Sequence, residues 1–164
     1  MIRNVKYSDA ETLTKLYNHY IQTSGATFEE TLISSDEMHS RIQHIHFAKG
    51  FPYLIFEENN EILGYAYATA FRERAAYRYT VESTVYVHPE HFGKGIGKQL
   101  YKELLDLLME QLFHSVIGVI TLPNDGSIKL HENFGFKKVG HFTEVGKKFG
   151  KWMDVGFWEL LLSQ

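Results

Sequence analysis

Thr80-Val81-Glu82-Ser83-Thr84-Val85-Tyr86-Val87-His88-Pro89-Glu90-His91-Phe92-Gly93-Lys94-Gly95-Ile96-Gly97-Lys98-Gln99-Leu100 passes from one structural regime to another within 21 residues. Its first eight residues are β-branched or aromatic apart from Glu82 and Ser83, and read as a strand. Two-residue periodicity places Glu82, Thr84 and Tyr86 on one face and the Val residues on the other. His88-Pro89 ends the strand. Gly93, Gly95 and Gly97 then punctuate a loop that opens a helix over residues 96–112, where Leu100, Leu104, Leu107, Leu108 and Leu112 keep helical spacing. Alternate glycines permit unusual backbone angles and close approach, and the helix start supplies unpaired N–H groups and a positive dipole end. Such a loop either starts a helix and nothing more, or holds an anion, with a diphosphate the natural guest. Gly97 is followed by Lys98-Gln99, so the Lys-Ser/Thr ending of a P-loop is missing. A dinucleotide fingerprint would also need an N-terminal βαβ unit, with an acidic residue about 20 positions on. Glu82 is the unusual residue: it is either an exposed side chain on a solvated face or a general base beside the ligand that the loop holds.

Outward from this stretch, residues 2–6 alternate like a short half-buried strand. Ser8 with Glu11 and Ser34 with Glu37 have capping-box spacing. The first precedes a helical stripe of Leu13, Leu16, Tyr17, Tyr20 and Ile21, and the second predicts a helix over 36–47. Strands are expected at 53–57 and 62–71, joined by a tight Asn59-Asn60 turn. Further strands are expected at 116–121, 137–144 and 152–161, with a short helix over 127–133. The order β-α-α-β-β-β-α-β-α-β-β predicts an α/β (α+β) fold with a central mixed sheet flanked by helices, as a single domain over residues 1–164.

Bulk properties narrow the chemistry. The chain has 17 basic and 20 acidic residues, a net charge of −3, so nothing global attracts nucleic acid or an acidic membrane, and an anionic ligand needs a local site. There is no Cys, which excludes disulfides, Cys-ligated zinc and a Cys nucleophile. Met1 leads into residues 2–6 with no apolar signal segment, and no apolar run is long enough to span a bilayer. A cytoplasmic location is the expectation. Nine His invite a metal reading, yet His44 and His46 diverge on a helix, and His88 with His91 has no third ligand nearby in sequence. No metal is expected. Lys147, Lys148 and Lys151 read as a solvated basic loop, and Trp152, Phe157 and Trp158 as parts of terminal strands or a subunit contact.

The strand, Gly-x-Gly-x-Gly loop and helix, with Leu122-Pro123-Asn124-Asp125-Gly126-Ser127 and His131-Glu132-Asn133-Phe134-Gly135-Phe136, resemble the GCN5-related N-acetyltransferase (GNAT) superfamily. Residues 71–77, 80–87 and 149–158 are similar to one branch, the phosphinothricin and methionine sulfoximine N-acetyltransferases, as are Asn18-His19-Tyr20-Ile21 and Ala26-Thr27-Phe28. The resemblance covers essentially the whole chain. It implies acetyl-coenzyme A as co-substrate, a small amino acid as acceptor and a homodimer. Residue by residue, it implies that the backbone of Val85, Tyr86 and Val87 pairs with the pantetheine arm. Amides of Gly93, Lys94, Gly95, Ile96, Gly97 and Lys98 would cradle the diphosphate, and Asn124 and Ser127 would hydrogen-bond the pantetheine's other side. Glu82 matches the general base. Arg72, Arg74 and Tyr77 match the substrate-binding segment, with Phe28 in the same pocket. Two positions depart from the superfamily pattern. Phe92 stands where Gln or Arg is usual, and His131 where a Tyr acid is common, leaving a proton-donating or a positioning role.

An amine near its ordinary pKa of about 8 is mostly protonated at neutral pH, so a base at Glu82 answers the chemistry. Acetylation of protein N-termini or lysines would favour an open acidic groove, whereas Arg72 and Arg74 point to a small anionic acceptor. A non-catalytic acyl-coenzyme A sensor is the third reading.

Overall fold

Turn chemistry and side-chain alternation account for most of the sheet. The computed structural model describes residues 1–162. In chain order it contains β1 (Ile2–Asn4), α1 (Ala10–Thr23), α2 (Ser35–Ile42), β2 (Tyr53–Glu58), β3 (Glu61–Ala70), β4 (Thr80–Val87), α3 (Ile96–Glu110), β5 (Ser115–Leu122), α4 (Asp125–Asn133), β6 (Lys137–Lys148) and β7 (Lys151–Leu161). These strands form one mixed sheet in the order β1-β2-β3-β4-β5-β7-β6. The β4–β5 contact is parallel, and every other neighbour is antiparallel. The element order and mixed sheet match the sequence expectation.

Asn59 and Asn60 both have positive φ (52° and 64°), the geometry a two-residue hairpin turn needs. Helices cover both faces. Leu13, Leu16, Tyr17 and Ile21 of α1, with Met38 and Ile42 of α2, bury one face together with Tyr53, Tyr65 and Tyr86. Leu100, Tyr101, Leu104 and Leu108 of α3 bury the other against Val81, Val116 and Trp158. The β4 alternation is therefore sorted as its sequence dictates, with Tyr86 toward α1 and Val81 toward α3.

Four local expectations change. Ser8 and Glu11 do not cap α1. The carboxylate of Asp9 accepts the Lys6 N–H (2.7 Å) and is gripped by both Arg3 amino groups (2.8 and 3.0 Å). Burial works to raise the Asp9 pKa, but Arg3 and the Lys6 N–H outweigh it and hold it low. The helix expected over 36–47 stops at Ile42 and widens into a π-helical turn, Gln43–Ala48. That turn stacks Phe47 on the Tyr7 ring, which also stacks with His39. The Ser34 side chain does cap α2, accepting the Glu37 N–H at 3.1 Å. The third helix ends at Glu110, because Leu112 adopts φ 63°. Strand β6 runs past 144 to Lys148, bulging where Asp154 accepts the Glu144 N–H, and turns into β7 through Phe149 and Gly150 (φ 52° and 72°). The Lys147–Lys151 region is thus the tip of a hairpin, and Lys148 is 2 % exposed.

Candidate active site

The functional feature of the sheet is where it fails to close. Strands β4 and β5 pair only from Thr80↔Ser115 to Ser83↔Gly118 and then separate. Peptide groups alternate sides along a strand. Thr80 C=O accepts from Phe71 and His88 N–H donates to Leu63, so even-numbered residues of β4 bond to β3. Val85 and Val87 therefore turn their peptide groups into the gap. On β5, Leu162 N–H donates to His114 C=O, which commits even-numbered residues to β7 and leaves Val119 and Thr121 facing the gap. Tyr86, expected among the backbone contacts, spends its peptide group on β3 and buries its ring against Tyr17, Tyr20 and Tyr65. The helical stripe gives no hint that Tyr20 is a site residue. Its hydroxyl donates to Val87 C=O at 2.5 Å, and its pKa is pushed up to about 12 by burial, against the opposing effect of that bond.

A buried polar chain stands at the apex of the gap. Ser83 Oγ bonds the Tyr101 hydroxyl, which lies 2.8 Å from His131 Nε2. His131 Nδ1 is 2.7 Å from Ser127 C=O. A carbonyl only accepts, so Nδ1 carries the proton and Nε2 accepts from Tyr101. Burial lowers the His131 pKa, outweighing the Ser127 carbonyl that favours the cation. The ring lies directly over Gly118, where a Cβ would come within 2.5 Å of it. Neither Tyr101 nor Ser83 carries a sequence signal beyond its helical or strand pattern.

A cleft of about 1150 Å³ passes through the gap, reaching residues from both faces of the sheet. At one end lie Phe92, Gly93, Gly95, Ile96, Gly97 and Lys98. Gly93 and Gly95 have φ of 78° and 79°, which only glycine adopts freely. The Gln99 N–H is the first to find an intrahelical partner, Gly95 C=O, so the N–H groups of Ile96, Gly97 and Lys98 remain open. Lys94 does not line the cleft; its ammonium lies 3.3 Å from His91 Nδ1. Asn124 and Ser127 line the opposite bank, where Asn124 Oδ1 caps α4 by accepting the Ser127 N–H at 3.1 Å. The Asn124 amide is left for a ligand.

The other end holds Glu82, the segment 23–28 and Met153 with Val155 of β7. Glu82 is half-buried, and no ion pair engages its carboxylate among the described residues. Burial raises its pKa. Phe28 lines this end. Arg72, Arg74 and Tyr77 do not: they sit on a wholly exposed segment between β3 and β4, with Arg72 over the Phe71 and Tyr77 rings. His88 and His91 have a third neighbour after all, since the Glu90 carboxylate and both imidazoles lie within 4.8 Å of one another. Each imidazole Nδ1 is already engaged, by the Glu90 N–H and by Lys94.

A gap with free main-chain groups on both banks suits an extended amide-bearing arm. The open amides at one end suit its diphosphate, and a proton-accepting carboxylate stands at the other. Comparison with known proteins agrees. Residues 2–156 match the acetyltransferase (GNAT) domain family. A phosphinothricin N-acetyltransferase of Streptomyces coelicolor is 39 % identical over 92 % of this chain and 90 % of its own. An L-methionine sulfoximine/L-methionine sulfone acetyltransferase of Salmonella typhimurium is 34 % identical over 99 % and 95 %. The structure of an acetyltransferase from Salmonella typhimurium with its cofactor acetyl-CoA superimposes with a TM-score of 0.96, at 34 % identity over 100 % of this chain and 94 % of that one.

Proposed function

This chain belongs to the GNAT acetyltransferase family, and from that premise we propose that it moves an acetyl group from acetyl-coenzyme A to the α-amine of a small amino acid. Methionine sulfoximine, methionine sulfone and phosphinothricin are the acceptors to test. The observation that carries this reading is the gap beyond Ser83↔Gly118, with Glu82 at its closed end. Val85 and Val87 bond the pantetheine as an added strand, joined by Asn124 and Ser127 from across the gap. The amides of Gly93, Gly95, Ile96, Gly97 and Lys98 take the diphosphate; that of Lys94, expected among them, donates to His91 C=O instead. Glu82 accepts a proton from the acceptor's ammonium, and the free amine attacks the thioester carbonyl. The Val85 N–H, the nearer to Glu82 of the two gap-facing amides of β4, serves as the oxyanion donor in this reading, since Tyr86 spends its own on β3. The C–S bond then breaks. A thiolate with a pKa of about 8.5 leaves without a protein acid, and the second proton, shed by the nitrogen as the amide forms, passes through water to the thiolate. His131 acts as a positioning group, because its one proton is held by Ser127 C=O. No covalent enzyme intermediate enters the sequence.

Arg72, Arg74 and Tyr77 serve the acceptor's anionic head in this reading, which requires their exposed segment to bend over the cleft. Val139, Phe142 and Val145 of edge strand β6, with Trp152, are all more than half exposed and supply an apolar surface for the homodimer. The deciding experiment is a thiol-release assay with acetyl-coenzyme A against a panel of amino acids and amine-bearing antimetabolites. Turnover confined to acceptors with a tetrahedral side-chain head supports the reading. Turnover only with peptide N-termini or lysines, or none at all, overturns it.

A further inference from the structure

The one buried ammonium in the described chain has no part in the chemistry above, yet it holds a wall of the acceptor pocket. Lys148 ends β6 and is 2 % exposed. Its Nζ donates to Ser24 C=O and to Thr27 C=O, each at 2.7 Å. Both carbonyls belong to the 24–28 segment, every residue of which lines the same cleft as Glu82. No carboxylate lies within ion-pairing distance of it among the described residues. Burying an ammonium on neutral partners is costly, and burial does lower its pKa, although the charges of Glu30 and Glu29 oppose this.

The hairpin grips the same segment at two further points. Gly146 pairs across it with Met153. A Cβ on Gly146 would lie 2.2 Å from the Phe28 ring, so the ring rests on bare backbone there. Met153 Sδ comes within 2.8 Å of where a Cβ on Gly25 would be. The segment is also tied to α1, through Thr27 Oγ1 to the Tyr17 hydroxyl at 2.8 Å. Held in this way, Phe28 and Met153 join Val155 as apolar lining of the cleft that Glu82 also lines.

We propose that Lys148 is a positioning residue for the acceptor: it clamps segment 24–28 to the β6–β7 hairpin and so sets the pocket wall that the amino acid's side chain meets. The proposal rests on the acetyltransferase reading for its substrate, but not for its mechanics. Lys148 touches neither cleft nor ligand, and the coenzyme end of the cleft is built from other elements. The effect of losing it is therefore expected to fall on one substrate.

The test uses the full chain with Lys148→Met, Lys148→Arg and, separately, Gly146→Ala. Loss of a charged hydrogen-bond donor to two buried carbonyls is expected to raise the acceptor KM about tenfold or more. The acetyl-coenzyme A KM should change less than twofold, with kcat falling less than the acceptor KM rises. Lys148→Arg, which keeps charge and donors, should recover part of the loss. Amide hydrogen exchange of residues 24–28 should quicken in Lys148→Met while that of 93–99 stays as in wild type. Gly146→Ala displaces Phe28 without touching Lys148, and should raise the acceptor KM even if Lys148→Met does not fold. Equal changes in both KM values, or unchanged exchange of 24–28, would overturn the clamp. If wild type acetylates no amino acid, the acetyltransferase reading fails, and the exchange measurement alone decides the clamp.

Discussion

The two ends of the cleft are made of different material. In the proposed reading the diphosphate end is main chain: Val85, Val87 and the amides of Ile96, Gly97 and Lys98, presented by one continuous stretch of sequence. The acceptor end is side chain: Glu82 from β4, Phe28 from the loop after α1, Met153 and Val155 from β7, all fixed by contacts between segments up to 124 residues apart. A main-chain site depends on backbone angles and on where strands stop pairing. A side-chain site depends on each group being held in place. The first should tolerate substitution and the second should not.

Glu82→Gln should break the acceptor end most. Removing a general base costs on the order of 10²–10⁴ in turnover. Because burial raises the Glu82 pKa, the carboxyl keeps its proton to a higher pH than an ordinary Glu, and kcat should climb as pH rises through that elevated value. The variant should lose this limb and recover only where the acceptor's amine is already free. Acetyl-coenzyme A affinity, measured by calorimetry, should stay within twofold. A matching loss of coenzyme affinity, or an unchanged pH profile, would remove Glu82 from the role.

Gly118→Ala attacks the apex shared by both ends. The new methyl group would stand 2.5 Å from the His131 ring, which is buried between Tyr101, Phe136 and β5. Overpacking of this kind costs about 1–3 kcal/mol. Denaturant unfolding should show it, and acetyl-coenzyme A binding should weaken with it, because the His131–Tyr101–Ser83 chain stands where β4 and β5 part. A variant as stable as wild type would mean that the ring moves freely and holds nothing apart.

The same contrast explains what the sequence made legible. The β4 strand, the Gly loop and the α3 stripe lie side by side in the chain, so periodicity and glycine spacing expose them directly. The Asn59-Asn60 turn is read the same way, since Asn tolerates positive φ. Phe149 at φ 52° offers no such hint, so the lysines of the hairpin tip read from sequence as a solvated basic loop. Lys148 is buried only because β6 continues through two bulges and brings its ammonium under two carbonyls of residues 24 and 27. Asp9 shows the same limit at short range: Ser8 and Glu11 carry the familiar spacing, but the Arg3 guanidinium decides in favour of Asp9. Tyr20, Tyr101 and Ser83 occupy ordinary positions in their helix or strand pattern. Their roles appear only when tertiary structure brings their hydroxyls to Val87, His131 and one another.

Tyr20→Phe tests a mixed case, where a side chain from α1 supports a main-chain group. It frees Val87 C=O, whose partner is worth about 0.5–1.5 kcal/mol. Either water or the coenzyme's own amide can take its place. Stability should drop within that range, and acetyl-coenzyme A affinity should change by less than a factor of about ten. A larger loss of affinity would mean that the hydroxyl orients the Val87 peptide, and that the pantetheine edge is less purely main chain than its geometry indicates.

The smallest effect belongs to Lys94→Ala, and it is the sharpest test of the main-chain end. A lysine between two glycines of an anion loop invites the reading that its charge grips phosphate, the more so because Phe92 occupies the position where a polar side chain is usual. The geometry assigns it elsewhere. Lys94 is exposed, does not line the cleft, and its ammonium lies against His91. Exposed charges act on ligands through water and salt, and contribute under about 1 kcal/mol. Acetyl-coenzyme A affinity should fall less than about threefold, with a shallower salt dependence as the only other change. The Gly95→Ala variant is the counterpart: it leaves every charge in place, meets no atom within 4 Å, and forces a φ of 79° on a residue with a Cβ, at about 1–2 kcal/mol. If the diphosphate is held by backbone, Gly95→Ala weakens coenzyme binding more than Lys94→Ala does. The reverse order would make the phosphate grip a side-chain affair, and the two ends of the cleft would no longer differ in kind.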